Sequence, residues 1–156
     1  MTKKNKYLAS LREMKTRLEK GGNIISDLGN ITAVLKKRMN FYWVGFYLVG
    51  KNRLVLGPFQ GTPACVYLNL NQGVCAACVE QKKPIVVPDV SAFSGHIACD
   101  PHSRSEIVVP CFDIHNNIRA VLDVDSTEKD FFEEMDKKYL EKVAELTVNF
   151  WKTEYE

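Results

Sequence analysis

Five cysteines lie in this 156-residue chain, and Cys99 stands in the surroundings best suited to reaction. It sits in Gly95-His96-Ile97-Ala98-Cys99-Asp100, inside a polar loop rather than on an apolar face. A free thiol is normally buried as a small hydrophobe. One set among Gly, His, Asp and Ser is placed for its reactivity. Cys65 and Cys75 lie upstream and could meet it in space. An oxidised Cys99 would then have thiols able to resolve it, which points to redox chemistry. Cys75-Ala76-Ala77-Cys78 forms a CxxC at the start of an expected helix, where a thiolate is favoured. His96-Ile97-Ala98-Cys99-Asp100-Pro101-His102 offers HxxCxxH, and the two motifs together can be drawn as a zinc set. That spacing is not a usual structural-zinc spacing, and no metal is assigned. A cysteine protease would need a Cys–His pair and a peptide groove, and nothing in the chain suggests the groove. Cys111 falls on a strand out of phase with Glu106 and is assigned to the core.

A second set of reactive groups comes from strand parity, since side chains alternate across a strand. In Ile118–Asp125, Asp123 and Asp125 share one face with Val121. Taking Asn116-Asn117 as a tight turn pairs His115 with Ile118. Val108 then opposes Asp125, Pro110 opposes Asp123, and Glu106 lies just beyond Asp125 on the same face. Carboxylates that close raise each other's pKa and invite a cation, a metal ion or a shared proton. The alternative is a face open to water with solvated charges. In Phe41–Val49 the same parity puts Trp43, Gly45 and Tyr47 on one face. Tyr42, Val44, Phe46 and Leu48 form the core face. The glycine between two aromatics leaves a gap, either for a ligand or for packing under a helix.

These groups need a scaffold, and the hydrophobic periods supply one. Residues 7–20 carry Leu8, Leu11, Met14 and Leu18 at helical spacing, and Gly21-Gly22 breaks the pattern. A second helix follows, with Ile24, Ile25, Leu28, Ile31, Val34 and Leu35 on its stripe and Asn40 at its end. Phe41–Val49 and Arg53–Phe59 form a hairpin around Gly50-Lys51-Asn52. A short strand is expected near Val66–Leu68, a short helix over Gly73–Gln81 and a strand over Pro84–Val87. Residues 88–105 form a long irregular loop, of the kind that carries function. Glu106–Phe112 and Ile118–Asp125 make a second hairpin. Phe131–Tyr155 reads as a terminal amphipathic helix. The result is one α+β domain over residues 1–156: N-terminal helices in 1–39, an antiparallel sheet and active-site loops in 40–126, and a C-terminal helix in 130–155. The N- and C-terminal helices pack on one side of the sheet.

Net charge is +2, split into +7 over residues 1–40 and −5 over the remainder. The basic segment lacks the interleaved aromatics or motif of a nucleic-acid binder, so no nucleic acid is expected. No apolar run is long enough to span a bilayer, and the basic N-terminus has no apolar signal core. A cytoplasmic location is expected, in which the cysteines are thiols or transient disulfides.

Several stretches together resemble the free methionine-(R)-sulfoxide reductases, enzymes built on a single GAF domain. They are Asn40-Phe41-Tyr42-Trp43-Val44-Gly45-Phe46-Tyr47, Pro63-Ala64-Cys65, Gly73-Val74-Cys75, the Cys99 motif, Ser105-Glu106-Ile107-Val108-Val109-Pro110 and Leu122-Asp123-Val124-Asp125-Ser126. The resemblance implies that Cys99 attacks the sulfoxide sulfur, releases methionine and is left as a sulfenic acid. Cys65 or Cys75 then forms a disulfide with it, which thioredoxin reduces, with no bound cofactor. Glu106, Asp123 and Asp125 divide ammonium binding and proton donation, with Glu106 and Asp125 as candidate proton donors. Trp43 and Tyr47 line the substrate site, with Trp43 at the methyl-sulfur end. A homodimer is also implied. A carboxylate cluster that needs a free α-ammonium would reject a sulfoxide within a peptide. The chain departs from the pattern at Cys78, an extra cysteine, and at Pro101-His102 and Arg104. Two other readings are a non-catalytic GAF sensor of a small ligand and a zinc-binding or thiol-regulatory protein.

Overall fold

Two asparagines bracket the helix that opens the sheet. Asn23 Oδ1 accepts from the Ile25 amide at 2.8 Å, and Asn40 turns left-handed at φ 56° with its amide on the Lys36 carbonyl. Side-chain N-caps and left-handed C-caps satisfy the end groups a helix leaves open. In the computed structural model, which describes residues 1–18, 22–96 and 99–151, this helix is α2, Ile24–Met39. It follows α1, Lys3–Leu18, and precedes strands β1, Trp43–Val49, β2, Arg53–Gln60, and β3, Tyr67–Asn69. Helix α3, Val74–Gln81, and strand β4, Ile85–Val87, come next. A 3₁₀ turn spans Val90–Ala92. Strands β5, Ser105–Phe112, and β6, Ile118–Ser126, lead to α4, Glu134–Glu145. The sheet order is β3-β2-β1-β6-β5-β4, with every neighbouring pair antiparallel. The expected α+β architecture is therefore observed.

The two sheet faces do different work. On one, Tyr7, Met14, Leu28, Leu35 and Leu140 pack with Val44, Phe46, Ile107, Cys111 and Leu122 into the main core, so α1, α2 and α4 share this side. On the other, α3 covers a smaller cluster of Trp43, Tyr47, Val74, Cys75, Val108 and Val121. The short helix thus stands alone on the face opposite the terminal helices. Most of the expected stripes are buried, Leu11 and Met14 on α1 and Ile24, Leu28, Ile31, Val34 and Leu35 on α2; Leu8 and Ile25 are instead exposed, while Tyr7 and Ser10 are buried.

Helix α4 is shorter than the periodicity predicts. Glu133 and Asp136 form a capping box at its start. At its end Thr147 Oγ1 donates to the Ala144 carbonyl at 2.7 Å, and the backbone bonds tighten to three-residue spacing. Residues 146–150 continue as turns, and residues 152–155 of the expected helix lie outside the described residues.

The second hairpin keeps the expected faces but not the expected register. Glu106 pairs with Asp125, Val108 with Asp123 and Pro110 with Val121. The turn is longer than two residues because Asp113 organises it. Asp113 Oδ1 accepts from the amides of His115 at 2.8 Å and Asn117 at 2.9 Å, and Asn116 takes φ 64°. The turn closes on Phe112 and Ile118, and a bulge between Cys111 and Phe112 makes the net slip two residues. That preserves side-chain parity, so all three carboxylates stay on one face.

Asp136 ties α4 to α1. Its fully buried carboxylate accepts from Tyr7 Oη at 2.5 Å, Lys3 Nζ at 2.6 Å and the Glu133 amide at 2.8 Å. Tyr7→Phe strips one donor from a buried charge, and chemical denaturation should show a loss of about 1–3 kcal/mol. An unchanged midpoint would mean that Lys3 and the Glu133 amide suffice.

Candidate active site

Strand register builds the site as two rows across the sheet. One row runs Trp43, Asp125, Glu106, Val87; the next runs Gly45, Asp123, Val108, Ile85. Both rows face the α3 side. The first row sets two carboxylates between Trp43 and Val87, and the second sets Asp123 between Gly45 and Val108. Glu106 and Asp123 are each only 6% exposed, and Asp125 is half-buried. Cys75, at the second position of α3, closes over them, and the Cys75, Glu106 and Asp123 ligand atoms lie within 4.8 Å of one another. Asp123 Oδ1 is buried, and no amide, hydroxyl or cationic donor among the described residues reaches it.

Burial decides the protonation of this cluster. Desolvation, followed by the neighbouring Asp123 and Asp125, lifts Glu106 well above the usual carboxylate range. Desolvation, then Asp123 and Asp100, does the same for Asp125. Asp123 is raised by burial, and hydrogen bonds from Glu106 and Cys75 restrain the rise. The cluster thus holds a proton well above ordinary carboxylate pH and presents a buried acceptor suited to a cation. Cys75 departs from the reading as a helix-terminal thiolate. Its burial and the adjacent carboxylates push its pKa well up, which outweighs the helix end. Three cysteines are free and buried: Cys75, Cys78 and Cys111.

The zinc set drawn from the sequence is not assembled. Cys78 Sγ turns to the Val108 carbonyl at 3.8 Å, His102 is exposed, and Cys99 is bonded to Cys65. The Cys65–Cys99 disulfide joins two half-buried residues 5.6 Å apart at Cα. Cys99 and His96 line the pocket beside the carboxylates. Burial lowers the His96 pKa below its ordinary value.

The aromatic wall is held rigidly. Trp43 stacks between Tyr47 and Phe59, at ring-centroid distances of 6.2 and 5.4 Å. Its Nε1 donates to the Thr62 carbonyl at 3.0 Å. The gap expected at Gly45 is filled by protein: a Cβ there would meet Phe59 Cβ and the Trp43 ring, each at 2.5 Å. The glycine lets the indole lie flat rather than leaving a slot for a ligand. Tyr47 Oη donates to the Cys65 carbonyl at 2.8 Å, which anchors the cysteine loop to β1.

Tyr42 is not on the core face, since it precedes β1 and its hydroxyl donates to Asp100 at 2.7 Å. Thr62 Oγ1 donates to the same carboxylate oxygen at 2.7 Å. Neither contact was legible in the sequence. The one available signal was an acidic residue directly after Cys99.

A family model described as GAF domain matches residues 24–149. The GAF domain-containing protein A of Dictyostelium discoideum is 46% identical over 149 residues, covering 95% of this chain and 94% of that protein. The fold and the site thus define a GAF-domain protein. The free methionine-R-sulfoxide reductase of Escherichia coli (strain K12) is 39% identical over 155 residues, covering 97% of this chain and 93% of the relative. The structure of the Neisseria meningitidis free methionine-R-sulfoxide reductase in complex with its substrate aligns with a TM-score of 0.90 at 38% identity, covering 94% of this chain and 88% of that one. The chain belongs to the free methionine-R-sulfoxide reductase family, a group of oxidoreductases.

The raised carboxyls give a pH signature. A folded state that keeps protons the unfolded chain has lost is most stable below the ordinary carboxylate pKa of roughly 4.3. That contribution fades as pH climbs towards the raised folded values. Glu106→Gln removes a main holder of the proton, so its melting temperature should fall less than the wild type's between about pH 5 and 8. Parallel profiles for the two proteins would show that Glu106 is ordinarily ionised.

Proposed function

We propose that this chain reduces free methionine-(R)-sulfoxide to methionine, using thioredoxin as the external reductant. The observation that carries the reading is the Cys65–Cys99 disulfide beside a pocket with buried, proton-holding carboxyls. In the reduced enzyme the Cys99 thiolate attacks the sulfoxide sulfur. The sulfoxide oxygen takes a proton and passes to Cys99, leaving methionine and a Cys99 sulfenic acid. The Cys65 thiol then attacks that sulfur, the S–S bond forms, and water departs. Thioredoxin's dithiol reduces the disulfide by exchange. Both disulfide cysteines are half-buried, whereas Cys75 is buried with a raised pKa. Cys65 is therefore the resolving residue in this reading, and Cys75 is part of the pocket wall.

The carboxyls divide the remaining tasks. Asp123, with its unpartnered Oδ1, takes the substrate ammonium. Glu106 and Asp125, both raised well above the ordinary range, hold the proton that the oxygen needs. Trp43 and Tyr47 bracket the methyl-sulfur end, and Trp43 offers only its ring because Thr62 occupies its N–H. Electrons come from thiols throughout, so no bound cofactor enters the proposal. No described helix is long and apolar enough to cross a membrane. We place the activity in the cytoplasm, where thioredoxin operates, and in a homodimer. A ligand sensor gives the disulfide no part in its action.

The test is NADPH oxidation coupled through thioredoxin reductase and thioredoxin, with each sulfoxide epimer. Turnover of the (R) epimer alone, abolished by Cys99→Ser, supports the proposal. Cys65→Ser should form about one methionine per chain and then recycle slowly, as expected when the resolving thiol is lost. Turnover that survives Cys99→Ser would move the nucleophile elsewhere, and no turnover at all would favour a sensor.

A further inference from the structure

Asp100 joins the two loops that carry the disulfide. Its Oδ2 accepts from Thr62 Oγ1 and Tyr42 Oη, each at 2.7 Å, and its Oδ1 accepts from the His102 amide at 2.8 Å. Thr62 stands three residues before Cys65, and Asp100 directly follows Cys99. The Thr62 and Tyr42 bonds tie the centre of the Cys99 loop to the rest of the chain, while its ends are held by Lys129 against Asp89 and by Ser105 Oγ donating to the Glu128 carbonyl. The Cys65 loop has further anchors, through the Thr62 carbonyl to Trp43, the Cys65 carbonyl to Tyr47 and the Val66 carbonyl to the Leu56 amide. The Cys65 loop is thus fixed to the sheet; the Cys99 loop is bonded at its ends, through Pro88 and Arg104, to residues 126–130, and at Asp100 to Thr62 of the Cys65 loop and to Tyr42 before β1. Burial alone would raise the Asp100 carboxyl, but the bonds from Thr62, His102 and Tyr42 prevail and lower it. It is ionised at neutral pH, and both hydroxyl bonds are charge-assisted.

We infer that Asp100 is a positioning residue for the resolving step: its clamp on Thr62 and Tyr42 holds the Cys99 loop against the Cys65 loop and sets the effective concentration of one thiol at the other. The inference rests on the reading of Cys99 as the sulfenic acid and Cys65 as its resolver. In that step Cys65 sulfur bonds to Cys99 sulfur, the Cys99 S–O bond breaks, and the oxygen leaves as water with the Cys65 proton. Holding two reacting atoms near each other raises such a rate without touching either atom's chemistry. Attack on methionine sulfoxide involves only Cys99 and the pocket. The clamp therefore acts on disulfide formation far more than on methionine release.

Thr62→Val and Tyr42→Phe each remove one arm and leave every cysteine and pocket carboxyl in place. Thr62→Ser keeps the hydroxyl and serves as the rescue. The first readout is the equilibrium of the Cys65–Cys99 pair with reduced and oxidised glutathione, which gives the effective concentration without any sulfoxide. Each deletion should lower it about tenfold, the usual scale of one lost charge-assisted bond, and Thr62→Ser should restore it. The second is a single turnover without reductant, in which a dimedone trap reports the Cys99 sulfenic acid. The deletions should slow its loss about tenfold more than they slow methionine formation. An effective concentration equal to wild type in both deletions would overturn the clamp. So would a parallel fall in both single-turnover steps. A lowered effective concentration with no methionine formed even by wild type would leave the clamp standing and sink the reductase reading instead.

Discussion

Burying carboxyl groups side by side on one sheet face is the constraint from which the rest of this molecule follows. Isolated carboxylates cannot be taken from water cheaply; they must keep a proton, meet a cation or accept several donors. Here the β1–β6–β5 register places Asp125 between Trp43 and Glu106, with Asp123 in the adjacent row. Helix α3 then seals the face with Val74, Cys75 and Cys78. The sheet bears this burden because its opposite face carries the main core under α1, α2 and α4. One face supplies stability and the other is free to be strained electrostatically.

That electrostatic field also sorts the cysteines. Near the cluster, Cys75 is held protonated, since a thiolate there would face carboxylates without solvent. Cys78 and Cys111 are buried in apolar surroundings, with Cys78 pushed up by burial and Cys111 raised to about 12. Only Cys65 and Cys99 lie on loops with partial access to water, and they are the pair that is joined. Reactivity is confined to the loops, while the sheet face remains acidic and unreactive. The proposed reaction uses both properties: partly exposed thiols on loops, and proton-holding acids fixed on strands.

Much of this was legible in the sequence, and the failures have physical causes. The shared face of Glu106, Asp123 and Asp125 followed from alternation alone. It survived a wrong turn assignment because the longer loop organised by Asp113 shifts the register by an odd number of residues and the bulge between Cys111 and Phe112 restores the parity. Helix capping by Asn40 was visible because few residues tolerate a left-handed conformation. The glycine at Gly45 left room for a ligand or for packing under a helix as open readings, because the sequence does not show that Trp43 folds its own ring over it. Tyr42 was assigned to the core because parity was extended one residue beyond the start of β1. The terminal helix was drawn too long, because apolar spacing persists past the point where Thr147 tightens the chain. The Asp100 contacts are long-range, joining residues up to 58 apart, and local pattern carries no trace of them.

The account stands on the cluster's need for a cation at Asp123, and one comparison tests it directly. The kcat/KM for free methionine-(R)-sulfoxide would be measured against that for its N-acetyl derivative, which has the same sulfoxide and no ammonium. A site built around a buried charged partner rejects a ligand lacking it by factors on the order of 10³ or more. The account predicts a loss of that size for the N-acetyl compound. Comparable efficiencies for the two would contradict it, because the buried carboxyls would then be balanced by something other than the substrate.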